Sequence, residues 1–234
     1  MEILTFALLA ILIGIRHGMD GDHLAAIADM VGTETKKKRQ ITLGVMYAFG
    51  HGLIVLFIGL ITIFLGSRIP LGTQNILEVL VSLTLIILGA IILSSIFQRK
   101  KDYEYKSRIA IFSEFILKLI NKSSNEKKLS PVTLAIIGAF VVGIIHGVGV
   151  ESPTQIAIIS NAVGLDNVTI ATIHLTLFVV GLLVSTILVT FLFSFGFIKA
   201  KLKRNLYLFL GTITGAYSIG LGLYMIFEIT KGGV

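Results

Sequence analysis

Cysteine and tryptophan are absent from the 234 residues, proline occurs three times, and Asp, Glu, Lys and Arg together make up only 14%. Without cysteine the chain can form no disulfide, no thiolate metal site, no thioether link to haem and no cysteine nucleophile. The sequence also lacks the Gly-x-x-x-x-Gly-Lys-Ser/Thr loop that cradles nucleotide phosphates, the His-Glu-x-x-His of zinc peptidases and the Gly-x-Ser-x-Gly elbow of serine hydrolases. ATP hydrolysis by this chain and those two hydrolytic chemistries are thereby set aside. What fills the sequence instead is apolar: 55% hydrophobic residues and a mean hydropathy of +0.93, values of a bilayer protein rather than a soluble domain.

A bilayer core of roughly 30 Å takes about 20 residues of helix, and six segments qualify as spans. Ile41–Leu65, Ile76–Phe97, Val168–Ile198 and Asn205–Glu228 are long apolar runs, and Val132–Val150 continues in less apolar form past Glu151. The first segment, from Ile3 to Gly32, is too long for one straight crossing and carries glycines at 18 and 21, so a break is expected there. It lacks the basic n-region and small-x-small cleavage site of a signal peptide. Of the 20 Lys and Arg, four lie at 36–39, nine in 99–128 and four at 199–204, all in alternate loops. That bias makes those loops cytoplasmic and places both termini outside a cytoplasmic membrane. The net charge of +7 is thus a topology signal, and nucleic acid is not a partner. Within the long loop, Ile109, Phe112, Phe115, Ile116 and Leu119 recur at helical spacing, as in a helix lying on the lipid surface.

Two halves repeat. His17-Gly18-Met19-Asp20-Gly21-Asp22 aligns with His146-Gly147-Val148-Gly149-Val150-Glu151, and the next spans carry His51 and His174, followed by Gly59 and Gly181. Three spans repeating as three must cross in opposite senses, the inverted repeat of many secondary transporters. The expected architecture is all-α: a polytopic membrane protein of about six helices in two inverted three-helix repeats, with a broken helix opening each. Residues 1–98 form the first repeat, 99–130 a basic cytoplasmic loop and 131–234 the second repeat.

Ionisable side chains cost about 2.5 kcal/mol or more at mid-bilayer on insertion scales, so they mark function by default. All five histidines, His17, His23, His51, His146 and His174, fall within spans, with Asp20, Asp22 and Glu151 beside them. Imidazoles with a few carboxylates suit nickel, cobalt, zinc and copper, whereas alkali ions want oxygen alone. These eight residues are the expected ligands of a transported divalent cation. On an unbroken helix His17, Asp20 and His23 would share a face and Asp22 would point away; with a break, Asp22 would cap a half-helix starting near His23. The equivalent Ser152-Pro153-Thr154-Gln155 reads as a capping box with proline at its first helical position. Gly18, Gly21, Gly147, Gly149, Ser152, Pro153 and Gln155 are expected to shape the backbone there, and Arg16 to pair with Asp20 or Asp29. A metal-dependent membrane enzyme and a bis-histidine haem carrier, with His17–His146 and His51–His174 as axial pairs, are the rival classes.

Arg16-His17-Gly18-Met19-Asp20-Gly21-Asp22-His23-Leu24 resembles the His-x4-Asp-His signature of the nickel/cobalt permease superfamily. Phe49-Gly50-His51-Gly52 is similar to that family's Leu-Gly-His-Ser, and Val148-Gly149-Val150-Glu151-Ser152-Pro153-Thr154-Gln155 to its Leu-Gly-Phe-Asp-Thr-Ala-Thr-Glu. The form His-Gly-x-Gly-x-Glu-x-x-Thr-Gln and the six spans resemble most the short urease-accessory branch. The family's later Asp-Thr-x-Asp-Gly motif has no counterpart here. The resemblance implies Ni²⁺ or Co²⁺ as cargo, no permanent cofactor, and required roles for His17, Asp22 and His23, with His51 and Glu151 as motif members. Uptake is expected, because an inside-negative potential draws a divalent cation inward by about 4.6 kcal/mol per 100 mV. Efflux, delivery of nickel to an enzyme-maturation partner, and a homo-oligomeric state are left open by the sequence.

Overall fold

The computed structural model describes residues 2–65, 71–97, 130–148, 168–201 and 204–231. The interfacial helix expected near 109–119 and the Glu151 segment lie outside these residues. Every described element is a helix: α1 (Glu2–His17), α2 (Gly21–Thr33), α3 (Lys37–Leu65), α4 (Leu71–Phe97), α5 (Pro131–Val148), α6 (Val168–Lys201) and α7 (Arg204–Thr230). Helices α3, α6 and α7 are long and apolar enough to cross a bilayer, and α1, α4 and α5 contain shorter apolar segments.

The bundle is apolar outside and polar within. Leu12, Phe57, Phe64, Leu188, Leu192 and Phe209 are exposed, while His17, His23, His51, Gln40, Thr186, Thr190 and Ser194 are buried. A soluble protein would reverse this arrangement; lipid rewards it, provided the buried groups bond to one another. They do so partly through helix carbonyls, as with Thr186 to Leu182 and Thr190 to Thr186.

The long first segment breaks where its glycines predicted. α1 ends at His17, the backbone tightens through Met19 N–H to Arg16 C=O and Asp20 N–H to His17 C=O, and α2 starts at Gly21. α2 is the central helix of the bundle, packed on α3, α4, α6 and α7, with nearly every residue from His23 to Thr33 buried. Ala25, Ala26 and Ala28 supply the small surface that lets four neighbours close on it. A half-helix inside a bundle must also satisfy its last carbonyls. The Gln40 amide donates to the carbonyls of Val31 and Glu34, Tyr207 donates its hydroxyl to Gly32, and Ser194 holds Gln40 in place.

Glycines set the other helix contacts in reciprocal pairs. Gly14 of α1 lies against the Phe178 carbonyl of α6, and Gly181 of α6 against the Ile11 carbonyl of α1. Gly50 of α3 likewise meets the Phe140 carbonyl of α5, and Gly143 of α5 the Tyr47 carbonyl of α3. Any Cβ at these positions would collide with backbone, so the four glycines fix both distance and register. Gly14 and Gly143 each stand three residues before a histidine, His17 and His146, while Gly50 matches Gly181. In these contacts Gly50 and Gly181 take like places, and the residues that follow them are His51 and Leu182.

Asp29 is an exception to the satisfied interior. Its side chain is fully buried beside the Ser218 hydroxyl, and among the described residues neither carboxylate oxygen makes a well-aligned hydrogen bond. Arg16 is exposed, so the sequence-based pairing of Arg16 with Asp29 is not made. An unsatisfied buried polar group costs about 1–3 kcal/mol. Asp29→Leu is therefore expected to raise stability by about that amount, seen as a higher unfolding midpoint in detergent; an unchanged or lower midpoint would show that Asp29 makes a stabilising interaction.

Candidate metal centre

Three of the five histidines meet. His17 arrives at the end of α1, His23 in the first turn of α2 and His51 near the middle of α3, with side chains essentially inaccessible to solvent. His23 Nε2 lies 3.2 Å from His51 Nε2, which lies 3.3 Å from His17 Nε2, and the ligand atoms of all three fall within 4.8 Å of one another. Nitrogens bound at about 2.0–2.1 Å to a single ion in tetrahedral arrangement stand roughly 3.3 Å apart. The His23–His51 and His51–His17 separations have that spacing. The α1–α2 break brings this about by turning His17 and His23 toward the same point, while α3 presents His51 from the side.

The two aspartates sit behind the rings. His17 Nδ1 is 3.2 Å from Asp20 Oδ2, a hydrogen bond in which the imidazole N–H donates. His23 Nδ1 is 2.8 Å from Asp22 Oδ1, an ion-pair contact at the same ring nitrogen. A carboxylate at Nδ1 holds the proton there and leaves the Nε2 lone pair pointing inward, the usual outer-shell arrangement of metal-bound histidine. Asp20 and Asp22 retain 33% and 23% exposure against 2% for their histidines, so the acids mark the open side of the site. Asp20 occupies the N-cap position of α2 but makes no side-chain cap bond; its carboxylate bonds to His17 instead. The half-helix thus starts at Gly21 rather than near His23, and Asp22 lies in its first turn. Both acids also offset the partial positive charge at the α2 N-terminus, which by itself would repel a cation.

The remaining expected residues are distributed around this centre. His146, at the end of α5, has its ring centroid 6.5 Å from that of His23, but its nitrogens engage Tyr47 and Thr84. His174 lies against Phe6, 6.3 Å between centroids, one helical turn before Phe178, which stacks on His17. Gly18 faces Leu182 and Ser185, Gly21 faces the Tyr217 hydroxyl, and Gly147 approaches the His51 carbonyl. Gly149, Glu151, Ser152, Pro153 and Gln155 lie outside the described residues. Sequence reasoning missed Tyr47 and Thr84. Tyr47 stands one turn before His51 on the same face, a signal that could have found it; Thr84 offers none.

A buried cluster of three convergent imidazoles backed by carboxylates could hold a cation, and comparison with known proteins names the cation for the family. The model of a family described as high-affinity nickel-transport protein, NicO, matches residues 3–227. The chain belongs to the NicO family. It is also similar to a urease accessory protein, UreH, of Bacillus sp. (strain TB-90), with 23% identity over 99% of this chain and 96% of that protein. No solved structure matches the chain. The family's description names nickel transport, and nickel fits the nitrogen-rich donor set found here.

Proposed function

We propose that the chain is a secondary transporter that carries Ni²⁺, and Co²⁺ by the same chemistry, inward across the cytoplasmic membrane. The observation that carries this reading is the convergence of His17, His23 and His51 through their Nε2 atoms inside an apolar-faced bundle. The three nitrogens replace part of the ion's water shell, Asp20 and Asp22 hold the rings and supply negative charge, and the membrane potential drives the cation inward. Two inverted three-helix halves rock about this centre. The reciprocal glycine contacts of α1 with α6 and of α3 with α5 support that layout, because exchanging the halves maps one contact onto the other. Glu151 and His146 from the second half, and His174 along α6, serve the ion at other stages of the cycle.

Likeness to a urease accessory protein favours a second reading, in which the chain hands nickel to a maturation partner. Uptake of ⁶³Ni²⁺ into protein-loaded liposomes separates the two: accumulation under an inside-negative potential supports the transporter, and saturable binding without accumulation supports the accessory role.

Proton competition provides a further check. A protonated imidazole cannot bind metal, so affinity is highest where the histidines are neutral and falls as pH drops through roughly 6.5, the reference histidine value. A binding constant that stays flat from about pH 8 to pH 5 would contradict histidine ligation.

A further inference from the structure

His17 and His146 hold matching places in the packing, each one turn beyond a glycine seated on a neighbouring helix, yet their surroundings differ. An aromatic ring packs on each: Phe178 on His17, with centroids 5.5 Å apart, and Tyr47 on His146, at 5.6 Å. Phe178 has no polar atom to offer, so His17 Nδ1 goes to Asp20 and its Nε2 is left for the metal centre. Position 149, which corresponds to Asp20, is glycine. His146 instead has Tyr47 Oη 3.1 Å from Nδ1 and Thr84 Oγ1 2.6 Å from Nε2.

Counting protons orients this chain of bonds. Thr84 has one hydroxyl proton, and it goes to the Val81 carbonyl at 2.7 Å, an atom that can only accept. Thr84 Oγ1 therefore accepts from His146 Nε2–H, and His146 Nδ1 accepts from the Tyr47 hydroxyl. Both ring nitrogens are occupied, although the ring lies only 6.5 Å from that of His23. Rotation about its side-chain bonds would bring a nitrogen toward the three-histidine centre, at the cost of the Thr84 bond.

We infer that Tyr47 and Thr84 are positioning residues that hold His146 as a reserve fourth ligand, withheld from the cation in the conformation described and delivered to it when α4 moves away from α5. Thr84 belongs to the first half and His146 to the second, so relative motion of the halves breaks the bond and changes the number of protein ligands on the ion. The inference rests on reading the three-histidine centre as the cation site.

The test uses the full chain in detergent with Co²⁺ as the probe. Thr84→Val keeps the shape and removes the competing bond, so Co²⁺ should bind about tenfold more tightly, the worth of one buried hydrogen bond. The visible absorption should intensify as a fourth imidazole joins a tetrahedral ion. Thr84→Ser should behave as wild type, and adding His146→Ala to Thr84→Val should erase the gain. Tyr47→Phe, which copies Phe178 into the corresponding place in the first half, should also tighten binding. Unchanged affinity and spectrum in Thr84→Val, or a gain that survives loss of His146, would overturn the inference. Nitrogen-15 shifts of His146 in the metal-free protein give a readout independent of the cation. The Nε2–H form is expected in wild type, and an Nδ1–H form would overturn the proposal. Wild-type protein that binds no Co²⁺ while showing Nε2–H would sink the cation-site reading and the reserve-ligand role with it, leaving only the hydrogen-bonded arrangement of His146 standing.

Discussion

His51→Ala is expected to reduce Ni²⁺ affinity by more than about a hundredfold, beyond the 10–100-fold usual for changes outside the ligand shell, and to abolish accumulation in liposomes. His51 is the middle member of the cluster, its Nε2 lying 3.3 Å and 3.2 Å from those of His17 and His23. Removing it leaves two imidazoles on the α1–α2 turn with no third nitrogen from α3. The effect should be specific. His51 is fully buried and its Nδ1 has no partner, so the alanine variant loses no other hydrogen bond and should still fold. Isothermal titration with Ni²⁺, together with an unfolding curve, checks both parts; wild-type affinity in a folded His51→Ala protein would remove the cluster from consideration as the binding site.

Asp22→Asn carries the second large effect. An orienting carboxylate contributes through the basicity and tautomer of the histidine it faces, and its loss typically costs 10–100-fold in metal affinity. Asp22 lies 2.8 Å from His23 Nδ1, closer than Asp20 is to His17 at 3.2 Å. Asp22→Asn is therefore expected to fall near the upper end of that range and Asp20→Asn near the lower, with maximal metal stoichiometry unchanged in both. Metal titration under matched conditions tests the order. A reversal, or wild-type affinity in Asp22→Asn, would mean that the acids do not act through their histidines.

These two expectations also show where the sequence was informative. Apolar runs located α3, α4, α6 and α7 because a helix in lipid must be apolar along its length, and the surplus length of the first segment with its two glycines located the α1–α2 break. The His-x4-Asp-His stretch was legible as a buried polar cluster because so much charge and imidazole has no other place in a bilayer. What the stretch could not reveal was which atoms face the ion. The sequence offered Asp20 and Asp22 as ligands on a par with the histidines; the structure sets each at the Nδ1 of its histidine. Nor could it separate His51 from His174. Both stand in corresponding spans and both are followed by a glycine, but close contact with a helix backbone is made by Gly50 and Gly181, a register visible only once α3 and α6 are packed. Thr84 was beyond reach for a similar reason: its contact with His146 depends on where α4 crosses α5, which no local pattern encodes.

The family adds the identity of the cargo to this geometry, since nitrogen donors by themselves suit several first-row ions. The geometry adds an asymmetry between the halves. The first contributes His17, His23 and His51, and the second contributes His146, held back by Tyr47 and Thr84. A site with most of its ligands on one half can stay with that half while the other moves, so the ion need not be released for the bundle to change conformation.

The most direct test of the central claim is ⁶³Ni²⁺ uptake into liposomes containing the wild-type chain or His51→Ala, with an inside-negative potential imposed. The account predicts saturable, potential-driven accumulation by wild type and none above protein-free liposomes for His51→Ala. Equal accumulation by the two proteins, or wild-type protein that binds Ni²⁺ without moving it inward, would contradict it.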